Sequence, residues 1–565
     1  MVNRLYFGDN LHVLREHVVD ASVDLVYLDP PFNSKRDYNL LFKTPKGHES
    51  DAQITAFEDS WHWGEQAERE FNDILRQPNT DVAELMPALR TFLGENDMMA
   101  YLVMMANRLL ELHRVLKPTG SLYLHCDPTA SHYLKIVLDG IFGSLNFQGD
   151  IVWRRTASHV TSKRWPRIHD HLLNYAMDLQ QAKFDPPRIP ADENWVEREY
   201  RHTDERGRYM TDNLTGAGTT NGRSGQPWRG VDPTKIGQGR HWRYHPDTLD
   251  KLDAEGRIYW PKRGQYPKLK QYLHESGGTP VGDVWTDIHV IGRTSSERLG
   301  YPTQKPLALL ERIIQASSNE GDVVLDPFCG CGTAVDAAQK LGRRWIGIDI
   351  THLSIALIEK RLKDRYPYLN RTKPEKAAAS ASGVAEPTPE YMQSFEVIGT
   401  PEDLDGARDL ALRDKYQFQW WACSLVNAQP YQGKKKGADG GMDGLIFFQD
   451  DNGAAKKIVV SVKGGDNVSV AMVRDLAHVV AREKAEIGLF VTLAEATKPM
   501  TTEAIKEGFY KSPITGAEFP RIQILTIAGL LGGSERARFP DLSSGGHTFK
   551  KAKLDQGKKD QLKLI

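Results

Sequence analysis

Cysteine is scarce in this chain, which has four in 565 residues. So few cysteines exclude a disulfide framework, and the close pair Cys329 and Cys331 has no second Cys/His pair nearby in the sequence to complete a zinc site. Long hydrophobic runs are also missing, because no stretch approaches the roughly 18 apolar residues of a membrane span. The first residues show no apolar secretory core. We therefore expect a cytoplasmic protein with no membrane partner.

Net charge is also nearly absent, since 73 basic residues stand against 74 acidic ones. A polyanionic partner must therefore be met by a local basic surface and not by the charge of the whole chain. Hydrophobic residues make up 40% of the chain and charged residues 26%, which is an ordinary globular composition. At roughly 100–200 residues per domain, the length predicts three or four domains.

Short apolar strands alternate with helical patterns in two separate stretches of the sequence. In the first, a buried-strand pattern at 23–28 is followed by helical spacing over 98–116 and by a second strand at 121–125. The pattern resumes with strands at 323–325 and 345–348 around a helix near 333–341. This alternation predicts an α/β domain on a mostly parallel, Rossmann-like sheet, split by an insertion.

The domain organisation follows from these patterns and from composition. Residues 367–400 are rich in Ala, Ser, Pro and Glu, which is typical of a linker, and the last residues are rich in lysine. The predicted segments are 1–150 and 301–366 (the two parts of the split domain), 151–300 (the insertion), 367–400 (the linker), 401–540 (a second α/β domain) and 541–565 (a solvated tail).

The motif Asp29-Pro30-Pro31-Phe32 follows the first predicted strand directly. A carboxylate at the carboxyl end of a parallel strand lies in the ligand crevice of such a sheet. Asp29 and the Pro30 carbonyl can accept the two N–H groups of an exocyclic amine, while Phe32 stacks on a planar base. The amine nitrogen is then available to attack an electrophilic methyl group. A strand-ending turn without chemistry is the alternative for this motif taken alone.

A glycine-rich turn, 326–333, lies between a predicted strand and a helix. Glycine allows close approach of the backbone to a ligand, and the following helix offers its N-terminal amides. Asp349 ends the next strand, where an α/β sheet places a carboxylate that binds ribose hydroxyls. Position 335 is Val, so the third glycine of the nicotinamide fingerprint is missing.

Taken in order, these motifs resemble the DNA amino-methyltransferases, the N6-adenine/N4-cytosine family that uses S-adenosylmethionine. The resemblance covers about residues 1–365, and the catalytic motif precedes the cofactor loop, as in the β-type members. Cys331 and Tyr301 stand where Ser and His are commoner. The matching motifs are Gly8-Asp9-Asn10, Asp29-Pro30-Pro31-Phe32, Tyr301-Pro302-Thr303-Gln304-Lys305-Pro306 and Asp326-Pro327-Phe328-Cys329-Gly330-Cys331-Gly332-Thr333, together with Asp349.

The resemblance also implies a role for each matching residue. Asp29, Pro30, Pro31 and Phe32 are the expected catalytic residues, and Asp29 is also expected beside the cofactor. Asp9 is expected to contact the cofactor adenine, Thr303 and Lys305 its methionine part, and Asp349 its ribose. The expected cofactor loop contains Asp326, Phe328, Gly330 and Gly332.

The insertion then lies where that family keeps its target-recognition region. Guanidinium groups suit phosphates and guanine edges, and aromatic rings can stack against an opened duplex, so we predict contact with double-stranded DNA. A solvated, loop-rich surface is the alternative. The basic and aromatic residues concerned are Trp195, Arg198, Arg201, Arg206, Arg208, Tyr209, Trp228, Arg229, Arg240, Trp242, Arg243, Arg257, Trp260, Lys262, Arg263, Lys268 and Lys270.

The second domain contains the run 437–444 (GADGGMDG), followed by a predicted hairpin that ends in Ser461-Val462-Lys463. It resembles the Mrr-type branch of the PD-(D/E)xK restriction endonucleases, in which an acid and a lysine on adjacent strands act with Mg²⁺. Asp443 and Lys463 match by position. Ser461 stands where Glu or Gln is expected, and Gln419 stands where the family often has Glu, so the predicted Mg²⁺ site is weak. An active nuclease and an inactive DNA-binding domain stay equally open.

These observations predict a site-specific DNA methyltransferase in a restriction-modification or defence system, with adenine N6 as the expected target. An N4-cytosine methyltransferase is the alternative within the class. From another class, the chain could be a restriction endonuclease whose methyltransferase half mainly recognises DNA, and an RNA substrate is a further alternative. The sequence leaves open whether the chain forms a homodimer.

Overall fold

The computed structural model describes residues 2–31, 37–43, 49–58, 62–157, 165–261, 266–292, 295, 297–299, 301, 303–372, 394–431, 441–450 and 455–540. The described residues divide into two compact units. One contains 186–282, and the other contains the residues on both sides of it. No helix in these ranges is long and apolar enough to cross a membrane.

Up to residue 176 the chain mixes strands and helices, with a strand pair and three successive helices in its middle part. The strand predicted at 23–28 and the helix predicted at 98–116 are confirmed. The elements are β1 Asn3–Phe7, α1 Asn10–His17, β2 Val23–Leu28, β3 Asp37–Lys43, β4 Glu49–Glu58, α2 Glu65–Leu75, α3 Thr80–Leu93, α4 Asp97–Val115, β5 Leu116–Cys126, α5 Ser131–Phe142, β6 Phe147–Arg154 and β7 His169–Ala176.

The 186–282 unit is shorter than the insertion predicted at 151–300, because β6 and β7 pair within the sheet of the split domain, and it is built from short elements. Its core contains Trp228 and Trp242, both almost fully buried, with Leu214, Leu249 and Ile258. The elements are β8 Arg188–Ile189, α6 Glu193–Glu199, β9 His202–Asp204, β10 Gly207–Asn213, β11 Thr215–Ala217, β12 Arg240–Trp242, α7 Pro246–Ala254, β13 Ile258–Tyr259, β14 Lys268–Tyr272 and β15 Thr279–Pro280.

After this unit the α/β alternation resumes, and it continues into the C-terminal domain. The elements up to residue 425 are β16 Val284–Trp285, α8 Leu307–Ser317, β17 Val323–Asp326, α9 Thr333–Lys340, β18 Arg344–Asp349, α10 His352–Arg365, β19 Asn370–Thr372, β20 Ser394–Ile398, α11 Leu404–Arg413 and α12 Lys415–Leu425. Those that follow are β21 Gln429–Pro430, β22 Gly444–Phe448, β23 Lys456–Lys463, α13 Val470–Arg482, β24 Ile487–Thr492, α14 Lys498–Lys506, β25 Phe509–Lys511, β26 Glu518–Pro520, β27 Ile522–Thr526 and α15 Ile527–Leu531.

One ten-stranded sheet organises the split domain, in the order β16-β6-β7-β5-β2-β17-β18-β1-β20-β19. Neighbouring strands are parallel except where β7 pairs with β5 and with β6. β2 is buried along its whole length, and α4 is buried on most of its surface against the same core. The predicted α/β class with a mostly parallel sheet is confirmed.

The C-terminal domain has its own sheet of five strands, in the order β21-β22-β23-β24-β27. β22 and β23 form the antiparallel hairpin that the sequence predicts, and β23, β24 and β27 are parallel. Apolar side chains of α12 and α13 pack on this sheet in two separate clusters. The arrangement is the second α/β domain expected after residue 400.

Both ends of the segment expected as a linker differ from that expectation, because each contains a strand of the large sheet. β20 pairs in parallel with β1, and β19 pairs with β20. Phe395 and Val397 alternate inward and are buried, which explains why this short stretch joins the sheet. Two apolar residues are too short a pattern to stand out beside an Ala- and Pro-rich run. Residues 373–393 of the expected linker lie outside the described residues.

Candidate active site

Four neighbouring parallel strands bring the predicted carboxylates to one edge of the large sheet. β2, β17, β18 and β1 are adjacent, and their carboxyl ends carry Asp29, Asp326, Asp349 and Asp9 respectively. Because the carboxyl ends of parallel strands meet at the same edge, residues far apart in sequence surround one crevice. Asp29 and Asp349, which are 320 positions apart, line the same cavity of about 1110 Å³.

Asp29 has a lysine as its partner. The Lys305 ammonium donates a short hydrogen bond to Asp29 Oδ2, and both side chains are largely buried. Pro30 and Pro31 follow Asp29 and line the same cavity, while Phe32 lies outside the described residues. The sequence motif that contains Lys305 therefore meets the catalytic motif directly. The resemblance had given Lys305 only a role toward the cofactor.

The segment before α8 is fixed by hydrogen bonds from Gln304. Its side chain accepts a bond from Leu299 N (2.8 Å) and donates one to the Glu297 carbonyl (2.8 Å). Glu297 Oε1 in turn accepts from Leu307 N (2.6 Å), the first amide of α8, and burial raises the pKa of Glu297. Thr303 lines the cavity beside Lys305, whereas Pro302 lies outside the described residues. The motif thus builds a rigid edge of the site.

The glycine-rich turn wraps closely around the end of β18. Gly330 N donates to Asp349 Oδ2 (2.9 Å), and both Gly330 and Gly332 have positive φ (+50° and +75°). A Cβ on Gly332 would lie 2.7 Å from Ile358 Cγ1, and one on Gly330 would lie 3.2 Å from the Tyr301 ring. Glycine is therefore required at Gly332 for both space and backbone conformation. Phe328 lines the cavity on the same turn.

Asp326 and Asp349 are held by backbone donors at the ends of their strands. Asp326 Oδ1 accepts from Phe328 N (3.0 Å), and Asp349 Oδ1 accepts from Thr351 N (2.9 Å). Burial raises the pKa of Asp326 well above its ordinary value, and the charges of Asp29 and Asp349 act in the same direction. Burial also raises the pKa of Asp349, although its hydrogen bonds oppose the shift.

Arg108, on α4, is a site residue that the sequence analysis missed. Its guanidinium donates to Asp9 Oδ2 (2.9 Å) and to Asn10 Oδ1 (2.6 Å). Asn10 Nδ2 then donates to the Pro327 carbonyl (2.9 Å), so this arginine connects two of the motifs. Asp9 also caps α1 through Leu11 N (3.0 Å). Because these bonds join residues nearly 100 positions apart, no local sequence pattern marks Arg108 as a site residue.

A buried polar chain runs from the cavity into the sheet beside Asp29. Tyr27 lines the cavity, and its hydroxyl contacts His125 Nδ1 (3.0 Å). His125 Nε2 contacts Asp170 Oδ2 (3.3 Å), and both residues are fully buried. Burial raises the pKa of Tyr27 well above its ordinary value, with the Asp29 charge acting in the same direction. Tyr27 therefore stays neutral and able to donate a hydrogen bond.

The motif residues of the C-terminal domain also meet, around the start of β22. Asp443 is buried, and its carboxylate accepts from Gln419 Nε2 (2.9 Å), Val462 N (2.7 Å) and the Ser461 hydroxyl (3.4 Å). Lys463 ends the neighbouring strand β23 and is half-buried. We call Gln419, Asp443 and Ser461 the Asp443 cluster.

The Asp443 cluster fits a magnesium ion poorly. Mg²⁺ prefers six oxygen ligands, and Asp443 is the one carboxylate among the three residues of this cluster, where it already accepts three hydrogen bonds. Within the ranges that the structure describes, no group of three His, Cys, Asp or Glu side chains could hold a metal ion. The predicted Mg²⁺ site therefore stays a prediction.

Several aromatic and basic residues of the 186–282 unit have structural roles. Trp228, Trp242 and Tyr209 are buried, so they are not available to stack on a base in this conformation. Arg257 forms two hydrogen bonds with Glu275 (2.8 and 2.9 Å), and Lys270 pairs with Asp204 (2.7 Å). The more exposed basic residues are Arg198, Arg201, Arg206, Arg208, Arg229 and Arg243, while Lys262 and Arg263 lie outside the described residues.

Comparison with known proteins agrees with the two-part organisation. The family model for DNA methylases matches residues 23–360, and the model for restriction endonucleases matches 412–515. The type II methyltransferase M.EcaI of Enterobacter cloacae is 35% identical over 263 residues, which cover 46% of this chain and 57% of that protein. The Mod subunit of the type III restriction-modification enzyme StyLTI of Salmonella typhimurium is 28% identical over 353 residues, which cover 60% of this chain and 50% of that protein.

This chain thus spans only about half the length of the curated relatives it matches. Among solved structures, the cytosine-N4-specific PvuII DNA methyltransferase is 14% identical to this chain. The match covers 64% of this chain and 86% of that one, with a low TM-score of 0.30. The methylase model, by contrast, covers more than half of this chain and includes the motifs at Asp29, Asp326 and Asp349. The chain therefore belongs to the N6/N4 DNA methylase family, and a restriction-endonuclease-type domain follows its methylase part.

Proposed function

We propose that this protein is a site-specific DNA methyltransferase that transfers a methyl group from S-adenosylmethionine to the exocyclic amine of a base flipped out of the duplex. The observation that carries the proposal is the cavity in which Asp29, with its lysine partner, lies near the glycine-rich turn and Asp349. One crevice thus offers acceptors for an amine and a surface for a nucleoside. Adenine N6 is the proposed target, and a restriction-modification system is the proposed setting.

The cavity residues fit S-adenosylmethionine by shape and by donor chemistry. The cavity's volume of about 1110 Å³ is adequate for a nucleoside joined to an amino acid, with room left for a base. The turn at Gly330 and Gly332 brings backbone close to the space that a ligand would fill. Asp349 would accept hydrogen bonds from ribose hydroxyls, Asp9 would face the adenine, and Thr303 would lie near the methionine part.

When bound, S-adenosylmethionine supplies an electrophilic methyl group on a sulfonium. Asp29 and the Pro30 carbonyl accept the two N–H groups of the target amine and so orient its lone pair toward that methyl. A carboxylate has about four lone-pair sites, so the bond from Lys305 leaves Asp29 able to accept another. Transfer would form the nitrogen–carbon bond as the sulfur–carbon bond breaks, would leave S-adenosylhomocysteine, and would release one amine proton to water. Positioning supplies most of the rate enhancement.

Sequencing of host DNA for modified bases, with and without the gene, tests the proposal most directly. N6-methyladenine at a defined sequence, present only with the gene, is the expected result. N4-methylcytosine at a defined sequence would support the alternative target instead. Absence of any gene-dependent base modification would contradict the proposed function.

The remaining parts of the proposal concern the other domains and the setting. We assign DNA recognition to the insertion around 186–282, where exposed arginines suit phosphate contacts. The C-terminal domain is proposed to bind DNA, with any cleavage weak because of the sparse donor set around Asp443. Double-stranded DNA is the proposed partner and the cytoplasm the proposed location, while the oligomeric state is left to measurement.

A further inference from the structure

The cavity that contains Asp29 has a wall that does not come from the methylase part. Tyr416, Gln417 and Trp420, all on α12 of the C-terminal domain, line the same cavity as Asp349 and Gly330. Leu410 and Arg413, near the end of α11, line it as well. The restriction-endonuclease-type domain therefore contributes part of the surface around the methylase cavity.

Direct contacts join α12 to the methylase part at the nucleoside end of the cavity. Gln417 Oε1 accepts a hydrogen bond from His352 N (3.1 Å), which is three residues after Asp349. His352 stacks on Phe7 with ring centroids 3.6 Å apart, and Phe7 also lines the cavity. Burial lowers the pKa of His352 to about 3, and the Arg413 charge acts in the same direction. A neutral His352 can therefore lie near this arginine without charge repulsion.

Trp420 strengthens this contact through apolar packing. It packs, together with Tyr431, against a buried cluster that contains Tyr301, Cys331 and Leu353. Cys331 belongs to the glycine-rich turn, and a Cβ on Gly330 would lie 3.2 Å from the Tyr301 ring, so Trp420 packs against a cluster that includes part of this turn. The C-terminal domain is thus held against the loop that would cradle the cofactor.

Other side chains of α12 contact the Asp443 cluster. Gln419 donates to Asp443 Oδ1 (2.9 Å), and Cys423, one turn later, donates to the Asp443 carbonyl (3.4 Å). Residues 416 and 420 have the i, i+4 spacing of one helix face, with 417 to one side of it, and 419 and 423 share a neighbouring face on the other side. A single three-turn helix therefore touches the methylase cavity with one face and the nuclease-type motif with another.

From these contacts we infer that α12 forms part of the cofactor-binding surface, and that cofactor binding is transmitted through this helix to the Asp443 cluster. The inference rests on the proposed function, because the ligand is S-adenosylmethionine. Tyr416 and Trp420 supply aromatic surface at the adenosine end, next to the residues that follow Asp349. By reciprocity, a ligand that orders α12 changes the free energy of states at Asp443, and the converse holds as well.

Calorimetric titration of the full chain with S-adenosylhomocysteine, which cannot react, tests the wall. Tyr416→Ala and Trp420→Ala are expected to weaken binding by about fivefold each, in the range of a lost aromatic contact. Tyr416 is 58% exposed, so its truncation should leave folding intact. Leu412→Ala is the matched control, because Leu412 is exposed on the adjacent helix and does not line the cavity.

The outcomes separate this inference from the proposed function. If the wild-type chain binds S-adenosylhomocysteine and both aromatic variants bind it equally well, the wall is overturned while the proposed function stands. If the wild-type chain does not bind it, both fall together.

Hydrogen exchange of the full chain, with and without S-adenosylhomocysteine, tests the transmission. Slower exchange is expected in α12 and at the Val462 amide, which donates to Asp443. Protection confined to residues 2–365 would overturn the inference. Protection of α12 with no change at Val462 would overturn the link to the Asp443 cluster.

Discussion

Asp29 lies at the end of β2 and pairs with Lys305, whereas Asp443 lies at the start of β22 and accepts hydrogen bonds from Gln419, Ser461 and the Val462 amide. The first carboxylate lines a cavity of about 1110 Å³, and the second is 8% exposed with both oxygens engaged. A charged partner beside a cavity is typical of a site that receives a ligand. The Asp443 carboxylate is held by three hydrogen bonds and is not among the residues that line that cavity. The two motifs of one chain thus differ in how available their acids are.

The strongest test of this contrast removes Asp29. Asp29→Ala is expected to lower methyl transfer to DNA by about 10³-fold, because the target amine loses its acceptor. Affinity for S-adenosylmethionine should stay near the wild-type value. Tritiated-methyl transfer measures the first quantity and calorimetry the second, with the exposed Asp20→Ala as control. Substantial residual transfer would contradict the catalytic role.

Replacement of Lys305 tests the role of its ion pair with Asp29. Lys305→Ala is expected to lower kcat by about tenfold to a hundredfold, since Asp29 would lose the bond that orients it. Lys305→Arg should restore part of the rate if charge is the essential feature. A rise in KM for S-adenosylmethionine at unchanged kcat would assign Lys305 to the cofactor alone.

Asp349 offers a test at the other end of the cavity. Asp349→Ala is expected to weaken S-adenosylmethionine binding by about tenfold or more, in line with the loss of hydrogen bonds to a charged group. Asp349→Asn keeps an acceptor for Gly330 N and should have a smaller effect. Calorimetry on the full chain measures both, and unchanged affinity in both variants would remove Asp349 from the site.

Plasmid cleavage tests the other side of the contrast. Incubation of unmethylated DNA with the purified protein is expected to give slow nicking at most, stimulated by Mn²⁺ and absent in Asp443→Ala and Lys463→Ala. Rapid Mg²⁺-dependent cutting would show that the donor set is adequate. Nicking that survives Asp443→Ala would show that the wrong residues are named.

A variant with Gln419→Glu and Ser461→Glu would break the contrast deliberately. It replaces two neutral donors with carboxylates around Asp443, which should raise divalent-metal affinity and any metal-dependent cleavage above the wild-type level. Thermal unfolding with and without Mn²⁺ provides a readout besides activity. A variant that is no more stabilised by Mn²⁺ than the wild type would show that these positions do not face a metal.

The smallest effect concerns Asp326 and pH. The pKa of Asp326 is raised in the folded chain above the ordinary value for an aspartate, which is near 4. Above that pH the unfolded chain binds fewer protons than the folded chain, so the free energy of unfolding falls as the pH rises. Asp326→Asn is expected to raise the unfolding midpoint at pH 8, with a smaller gain at pH 5. Scanning calorimetry at both pH values measures this. An equal or larger gain at pH 5 would contradict the sign.

The positions of Asp29, Asp326 and Asp349 were predictable because each follows a strand pattern, and a parallel sheet gathers strand ends. Arg108 was not, since its bonds to Asp9 and Asn10 join residues nearly 100 positions apart and leave no local pattern. Tyr416 and Trp420 were equally hidden, because their contacts depend on how the C-terminal domain packs. Trp228 and Trp242 were predicted to contact DNA because aromatic residues are enriched in this region. In the structure both are buried in a small core instead.

The position of β1 inside the large sheet has a consequence for folding. β1 pairs with β18 on one side and with β20 on the other, so the strand partners of residues 3–7 lie some 340–390 positions later in the chain. Contacts of such long sequence separation form slowly, and the pairing with β20 requires that translation has passed residue 398. The strand that precedes Asp9 therefore gains its second neighbour only at that stage. Completion of the sheet around the first strand thus comes late in synthesis, just before the C-terminal domain is made.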